Sequence, residues 1–596
     1  MSGASASLAK STTRSLSMQL ALEDSRRLTG PNLVTDGPGA VLEVRVEGGS
    51  SELLVAAWEQ RARQILDAVG WPDERLQVRA HQTGVSLAFS APIDALYAAT
   101  EVNEWALDAA VEDLNDAAPA EDLSDAAVRL RSVIADETNP ALLALRDAAA
   151  QRGVMFLSDD DEASVGMGAG SRTWPVDALP APAQVPWHEI HDIPLVMITG
   201  TNGKTTTVRL LAAMVRASGR VPGFSCTDGV FAGDELAEDG DFSGPGGARA
   251  VLRDRRVEAA ILETARGGML RRGLGAPRAD GVAVCNVGVD HMGEYGLNDI
   301  EQMADAKLVI ARAVASGGML VLNADDPVLA RRRAPGEATL VWVTQHSNRT
   351  PVDLHVADRG AAVIADGTSF IRITAGQTSD LLPIIDVPVT LGGAARYNVD
   401  NVLSALALAP ALGVSDEDAC SALRAFSPSP EMLPGRTNVF RLGDVTAVVD
   451  YAHNPHGFAA LTDMVLRLPA SRRLVVIGQA GDRNDEAIRE LTRSILAMDP
   501  DRIIIKELTK YLRGREPGEV PGIIRDELER LKSRAEIVNI DGELEAVRGA
   551  LAWCEGGELL VLPIQAERAE VIDLLIGLEA RGWTAGEELP GPHRQH

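Results

Sequence analysis

The chain has 596 residues, of which 45% are apolar and 24% charged, and carries a net charge of −28. This length suits about three or four domains with sizeable cores. The acidic balance, with no basic stripe interleaved with aromatics, excludes a nucleic-acid surface, because polyanions reward clustered Lys and Arg. It leaves room for a local nucleotide site with its metal ion. No run approaches 18 uninterrupted apolar residues, so no membrane partner is expected. The cysteines, Cys226, Cys285, Cys420 and Cys554, are scattered without metal-site spacing, which suits a reducing cytoplasm.

Residues 1–40 are small and polar, with one short amphipathic piece around Leu16–Leu28, and read as a disordered or docking tail. A small α/β domain is expected over 41–165. Val41–Glu47 alternates as a strand, Leu53–Val69 reads as an amphipathic helix, and Leu76–Ala80 and Gly84–Phe89 read as strands. Ala91–Leu114 and Ala126–Gly153 read as helical, the latter split near Asn139-Pro140. The carboxylates of Glu101, Glu104, Glu112 and Asp113 fit a solvated helix face. The Gly/Pro-rich stretch 166–186 reads as a linker.

A central domain is expected over 187–430. Its first strand ends in Gly200-Thr201-Asn202-Gly203-Lys204-Thr205-Thr206, and a helical pattern follows at once through Val215. Strand, glycine loop and helix make a phosphate cradle. The loop N–H groups and the helix N-terminus face the anion, a lysine reaches the β- and γ-phosphates, and a hydroxyl meets Mg2+. The six-residue form of this loop has glycine where this chain has Ile198. Apolar runs at Val257–Glu263, Gly281–Val287 and Gly318–Asn323 each end in polar residues, the pattern of a parallel sheet with ligands beyond the carboxyl ends of its strands. Residues 350–392 read as an appended sheet, followed by a helix over Asn398–Leu412. Beyond Pro434-Gly435-Arg436, runs at Val445–Val449, Arg473–Ile477, Arg502–Ile505 and Leu559–Leu562 read as a separate Rossmann-like α/β domain over 431–596.

The ordered set of motifs resembles the Mur ligase superfamily of ATP-dependent amide-bond ligases and, within it, the Mur-like part of the cyanophycin synthetases. The matching pieces are Gly200–Thr207, Ser243-Gly-Pro245, Glu263–Met269, Asn286–His291, Asn323–Pro327 and Tyr397–Asn401. They continue through Pro434–Arg436, Asp450–Pro455, Gly481–Arg483 and Leu512–Gly518, and cover about 190 to 565. The leading part, especially Ala141–Leu157 and Gly166–Pro175, is similar to the small leading domain of the same enzymes. The ATP-grasp domain that follows it there has no room here, because the stretch from Gly166 runs into the P-loop strand by Ile193.

The resemblance implies phosphoryl transfer from ATP to a carboxylate, then attack of an amine on the acyl phosphate. Lys204 and the loop N–H groups of Gly200–Thr206 would hold phosphates, and Thr205 and Glu263 a first Mg2+. His291 would help bind a second ion near the acyl phosphate. Lys307, sixteen positions after His291, matches a lysine that is carbamylated in several members. Asn398 and Asn401 would meet adenine, though Tyr397 stands where the family often has histidine. Arg436 resembles the hinge arginine and Asp450 the ribose-binding aspartate, with His453 beside it. Arg483, Arg513 and Arg515 would grip the carboxylate of the incoming amino acid. Other readings stay open for single residues: Glu263 paired with Arg266, Lys307 as an exposed helix lysine, the three arginines as surface residues. For the whole chain, a P-loop phosphotransferase or ATPase, or a non-catalytic nucleotide-binding module, are the competing readings. The resemblance suggests an Asp-containing acceptor with arginine or a related amino acid, and the leading domain is expected to serve homo-oligomer assembly or substrate delivery.

Overall fold

The structure is a computed structural model that describes residues 19–47, 50–117, 120–290, 292–333, 338–346 and 350–591. It divides into two compact units. One comprises the residues up to Ala144 with two short segments, Leu270–Gly273 and Gly293–Asn298. The other comprises Leu145–Met269, Leu274–Met292 and the chain from Asp299 onward.

The first unit is a four-stranded antiparallel sheet, ordered Gln19–Leu28, Gly39–Glu47, Gly84–Ser90, Leu76–His81. Helices Ser51–Val69, Leu96–Leu114 and Leu123–Glu137 bury Leu54, Trp58, Leu66, Val102, Trp105 and Leu130 with Leu87 and Phe89 of the sheet. The expectation of a tail over 1–40 is corrected from Gln19 onward; residues 1–18 lie outside the described residues. Arg26, which makes this strand look solvated, is buried because its guanidinium pairs with Glu43 at 2.7 Å and Asp24 at 3.0 Å. The following polar turn is closed by Asn32, whose carboxamide accepts from the N–H groups of Val34 and Thr35.

The second unit opens with a small antiparallel sheet of Phe156–Ser158, Glu162–Val165 and Arg172–Pro175, so the expected linker over 166–186 is ordered structure. Its glycines serve close approach. A Cβ on Gly166 (φ +71°) would lie 2.3 Å from the Gly170 carbonyl oxygen, and one on Gly168 2.4 Å from that of Val257.

The central sheet has eleven strands among the described residues. Pro222–Cys226, Ala259–Glu263, Leu195–Thr199, Ala279–Val284, Val314–Asn323, Thr339–Thr344 and Ala361–Ala365 run parallel in that order. The hairpin Ser369–Thr374 and Gln377–Pro383 continues the same sheet antiparallel, which replaces the separate appended sheet expected over 350–392; that stretch opens instead with helix Thr350–Ala357. Near-continuous apolar strands and the buried helices Lys204–Ala217 and Arg396–Leu408 form one core, as a sheet covered on its faces requires. The C-terminal sheet is ordered Asn438–Leu442, Val445–Asp450, Leu559–Pro563, Arg473–Ile477, Arg502–Ile505, Glu536–Asn539, parallel apart from the first pair. The expected α/β class with a parallel P-loop domain and a Rossmann-like C-terminal domain is what the second unit shows.

Candidate active site

The P-loop strand Leu195–Thr199 lies between Ala259–Glu263 and Ala279–Val284, so its loop is braced from both sides. Ile198 is a buried strand residue paired with Glu263 and Ala283, so the strand runs two residues further than the six-residue loop form allows and the loop is correspondingly short. Asn286, just past the neighbouring strand, clamps Asn202 by accepting from its N–H at 2.9 Å and donating to its carbonyl at 3.1 Å. Thr201 Oγ1 accepts from the Gly288 N–H at 2.8 Å. Gly203 begins helix Lys204–Ala217 at φ +86°, and a Cβ there would sit 2.2 Å from Asn401 Oδ1, so a side chain would be strained and would displace Asn401.

Lys204 Nζ folds onto the carbonyls of Gly200 and Thr201, each at 3.2 Å. Thr205 Oγ1 donates to Glu263 Oε2 at 2.7 Å, and Thr227 donates to Oε1 at 3.1 Å from its hydroxyl. Glu263 is thus held by Thr205 of the P-loop helix and by Thr227 rather than only ending an apolar strand. The Thr205 hydroxyl and Glu263 carboxylate are buried, adjacent hard oxygen donors, the set Mg2+ takes. His291 lies outside the described residues. Among the described residues no group of three or more His, Cys, Asp or Glu side chains could hold a metal.

A cavity of about 670 Å³ opens in front of the loop, between the central and C-terminal sheets of this unit. From the expected set it brings together Thr201, Asn202, Gly203, Lys204, Thr205, Thr206, Glu263, Asn401, Arg436, Asp450 and His453. Asp450 accepts from the N–H groups of Thr437 and Ala452, each at 2.9 Å, while burial pushes its carboxyl up. Burial pushes the His453 imidazole down, which favours its neutral form. Asn202 and Asn454 exchange side-chain hydrogen bonds at 3.1 and 3.2 Å, and Asn202 Nδ2 lies 2.9 Å from His456 Nδ1. The P-loop is therefore bonded directly to the C-terminal domain.

Other expected residues sit elsewhere. Asn398 is buried behind Asn401, donating to the Val389 carbonyl at 2.9 Å and accepting from Asn401 Nδ2 at 3.0 Å; it supports its neighbour and does not line the cavity. Lys307 is buried on helix Ile300–Leu308 rather than exposed, and burial, with Lys204 nearby, pushes its ammonium down to about 7. The described cavity lining does not include Arg483, Arg513 or Arg515. Arg483 pairs with Asp290 at 2.9 Å. Arg515 donates to the carbonyls of Gly481 and Arg483 and to Asp485, so it ties its own loop, and Arg513 is exposed beside Tyr511. Arg483 is taken by a carboxylate of the central domain and Arg515 by groups of its own C-terminal domain, so neither guanidinium is turned to the cavity.

Asp228 carries no motif signal, yet it pairs with Arg209 at 3.2 Å, Arg436 at 3.0 Å and Arg568 at 2.8 Å. Burial opposes its charge, but the three guanidiniums hold its carboxyl below the usual range. Asp400 lines the cavity with its Oδ1 2.7 Å from Gln345 Nε2, and burial pushes it up to about 7. Asp400 lies inside the matched motif Tyr397–Asn401, yet nothing local in the sequence marks it as a buried cavity carboxylate.

Two family models match the chain: the Mur ligase middle domain over residues 198–409, and the Mur ligase, glutamate ligase domain over 435–562. The chain is 40% identical over 379 residues to the cyanophycin synthetase of Crocosphaera subtropica, a match that covers 63% of this chain and 43% of the relative. It is 29% identical over 326 residues to the UDP-N-acetylmuramoyl-tripeptide--D-alanyl-D-alanine ligase of Mycobacterium tuberculosis, covering 52% of this chain and 58% of that one. It therefore spans less than half the length of the cyanophycin synthetases it matches. Among solved structures, E. coli FolC in complex with DHPP and ADP superposes with a TM-score of 0.46 at 20% identity, over 65% of this chain and 89% of that one.

Proposed function

The chain belongs to the Mur ligase superfamily, and on that premise we propose that it is an ATP-dependent, ADP-forming ligase. It joins the amine of an amino acid or small amine to a carboxylate of an amino-acid or peptide substrate. The observation that carries this reading is one cavity that collects a P-loop, the Thr205–Glu263 oxygen pair, and Arg436 and Asp450 from the far side.

Activation of a carboxylate by ATP is mostly positioning and charge neutralisation. The N–H groups at the start of helix Lys204–Ala217 would face the triphosphate, and Lys204, now on two loop carbonyls, would turn to its β- and γ-oxygens. Arg436, over the Tyr451 ring and 3.4 Å from Thr205 Oγ1, would add a second cation beside the loop. Thr205 and Glu263 would hold Mg2+, which would neutralise charge developing on the phosphates during transfer. A second ion, if used, draws on His291. By the resemblance, Asn401 would meet the base and Asp450 the ribose. The γ-phosphoryl passes to the substrate carboxylate, giving an acyl phosphate and ADP. The amine then attacks the acyl carbon, and phosphate leaves as the amide forms.

The cyanophycin synthetase relatives motivate a panel containing aspartate, arginine and dipeptides of both. ATP turnover with Mg2+ across that panel, with mass spectrometry of each product and Lys204→Ala as control, tests the reading. A pair that releases ADP and gains the condensed mass supports it. ADP release without condensation on any pair makes the chain an ATPase or phosphotransferase instead.

A further inference from the structure

The hairpin Pro222–Cys226 and Gly229–Ala232 turns through two residues, Thr227 and Asp228. Each residue of this turn grips a different part of the cavity. Strand Pro222–Cys226 runs beside Ala259–Glu263, with Ser225 opposite Leu262, so Thr227 emerges next to the Glu263 carboxylate. The Thr227 hydroxyl donates to Glu263 Oε1 at 3.1 Å and its N–H to Oε2 at 3.4 Å, while Thr205 donates to Oε2 at 2.7 Å. A glutamate has three side-chain torsions to order, and three donors on two oxygens leave it one orientation.

Asp228 faces the other way, into three guanidiniums from separate elements. Arg209 lies on the helix after the P-loop, Arg436 on the segment between the two sheets, and Arg568 at the start of helix Arg568–Ala580. Arg436 in turn donates from Nη2 to Thr205 Oγ1 at 3.4 Å. The contacts form a closed circuit: Thr227 to Glu263, Glu263 to Thr205, Thr205 to Arg436, Arg436 to Asp228, and the peptide bond back to Thr227.

We propose that Thr227 and Asp228 are positioning residues. Thr227 aims the Glu263 carboxylate at the metal site beside the P-loop, and Asp228 pins the turn, and Arg436 with it, through the three arginines. This rests on the reading of the cavity as a Mg2+–nucleotide site. Outer partners of a metal ligand typically change metal affinity ten- to a hundredfold when removed.

The test is calorimetric binding of ADP to the full chain across a Mg2+ titration and in EDTA, with melting curves of each variant. In Thr227→Val, which keeps shape and loses the hydroxyl, the half-saturating Mg2+ concentration should rise about tenfold or more. ADP affinity in EDTA and the apo melting temperature should stay at wild-type values, and Thr227→Ser should recover most of the loss. Asp228→Asn, which unpins the turn without touching Glu263, should raise the Mg2+ requirement as well. A Mg2+ requirement unchanged in Thr227→Val, or a loss matched in EDTA and in melting temperature, would overturn the positioning role of Thr227. An unchanged requirement in Asp228→Asn would overturn the role given to Asp228. Wild-type protein that binds ADP no tighter with Mg2+ would refute the metal–nucleotide reading itself, and this inference with it.

Discussion

Lys506 offers the sharpest stability test, because it is fully buried and paired with the equally buried Glu543. It follows strand Arg502–Ile505, and its ammonium meets the Glu543 carboxylate, the Pro563 carbonyl and, at 3.0 Å, Gln565 Oε1. Glu543 also accepts from the N–H groups of Gln565, Ala566 and Glu567 at 2.9, 2.6 and 2.7 Å, so the pair shapes the loop that leads to Arg568. That loop reaches the cavity wall through Gln565 Nε2, which donates to the Ala452 carbonyl at 3.1 Å. Lys506→Met keeps length and leaves little void, so packing contributes little to its cost. What remains is an uncompensated buried carboxylate, which costs about 3–5 kcal/mol; the backbone N–H groups on Glu543 place it near the lower end, about 3 kcal/mol. Hydrogen exchange of peptides covering 559–568 reads this locally, and about 3 kcal/mol corresponds to exchange faster by about a hundredfold. Adding Glu543→Gln removes the stranded charge but keeps an acceptor, and should return at least half of the loss. Exchange accelerated by less than about tenfold, or a double variant no better than the single one, would refute the argument that an unpaired charge sets the cost.

Lys307, with its ammonium pushed down to about 7, is largely neutral at pH 8 and so in the form that reacts with CO2. 13C-bicarbonate at pH 8 should give a carbamate NMR signal that is absent in Lys307→Arg and weaker at pH 6. Asp400 has its carboxyl raised to about 7, so it disfavours the folded state progressively as pH rises from about 4 through 7. Asp400→Asn should therefore raise the melting temperature at pH 8, with the gain vanishing by about pH 4; an equal gain at both would exclude the carboxylate as its source. Asn202→Ala removes both side-chain bonds to Asn454 and the contact with His456. At about 1 kcal/mol per bond it should lower ADP affinity severalfold or more, and small-angle scattering should show the C-terminal domain less closed, whereas unchanged scattering would refute the tether.

What the sequence determined by itself is everything whose cause is local. The P-loop was legible because strand, glycines and helix are contiguous, and the parallel strands because each is a short apolar run ending in polar residues. Where local signals misled, burial had reversed their meaning. The strand Gln19–Leu28 looked like a tail because its arginine is neutralised by Glu43 from the next strand. The glycines of 166–170 looked like a linker because close backbone approach and flexibility use the same residue. Resemblance supplied the order of motifs, but of three arginines in matching positions one is paired with Asp290 of the central domain and another is tied into its own loop.

Only the tertiary structure decided how the cavity is closed. Asp228 meets Arg568 across 340 positions, and Asn202 meets Asn454 across 252. A carboxylate in a two-residue turn and an arginine at a helix start carry no periodicity and no mutual spacing. Their partnership is an energy of pairing in a shared, poorly solvated place, and that place exists only after both sheets have folded.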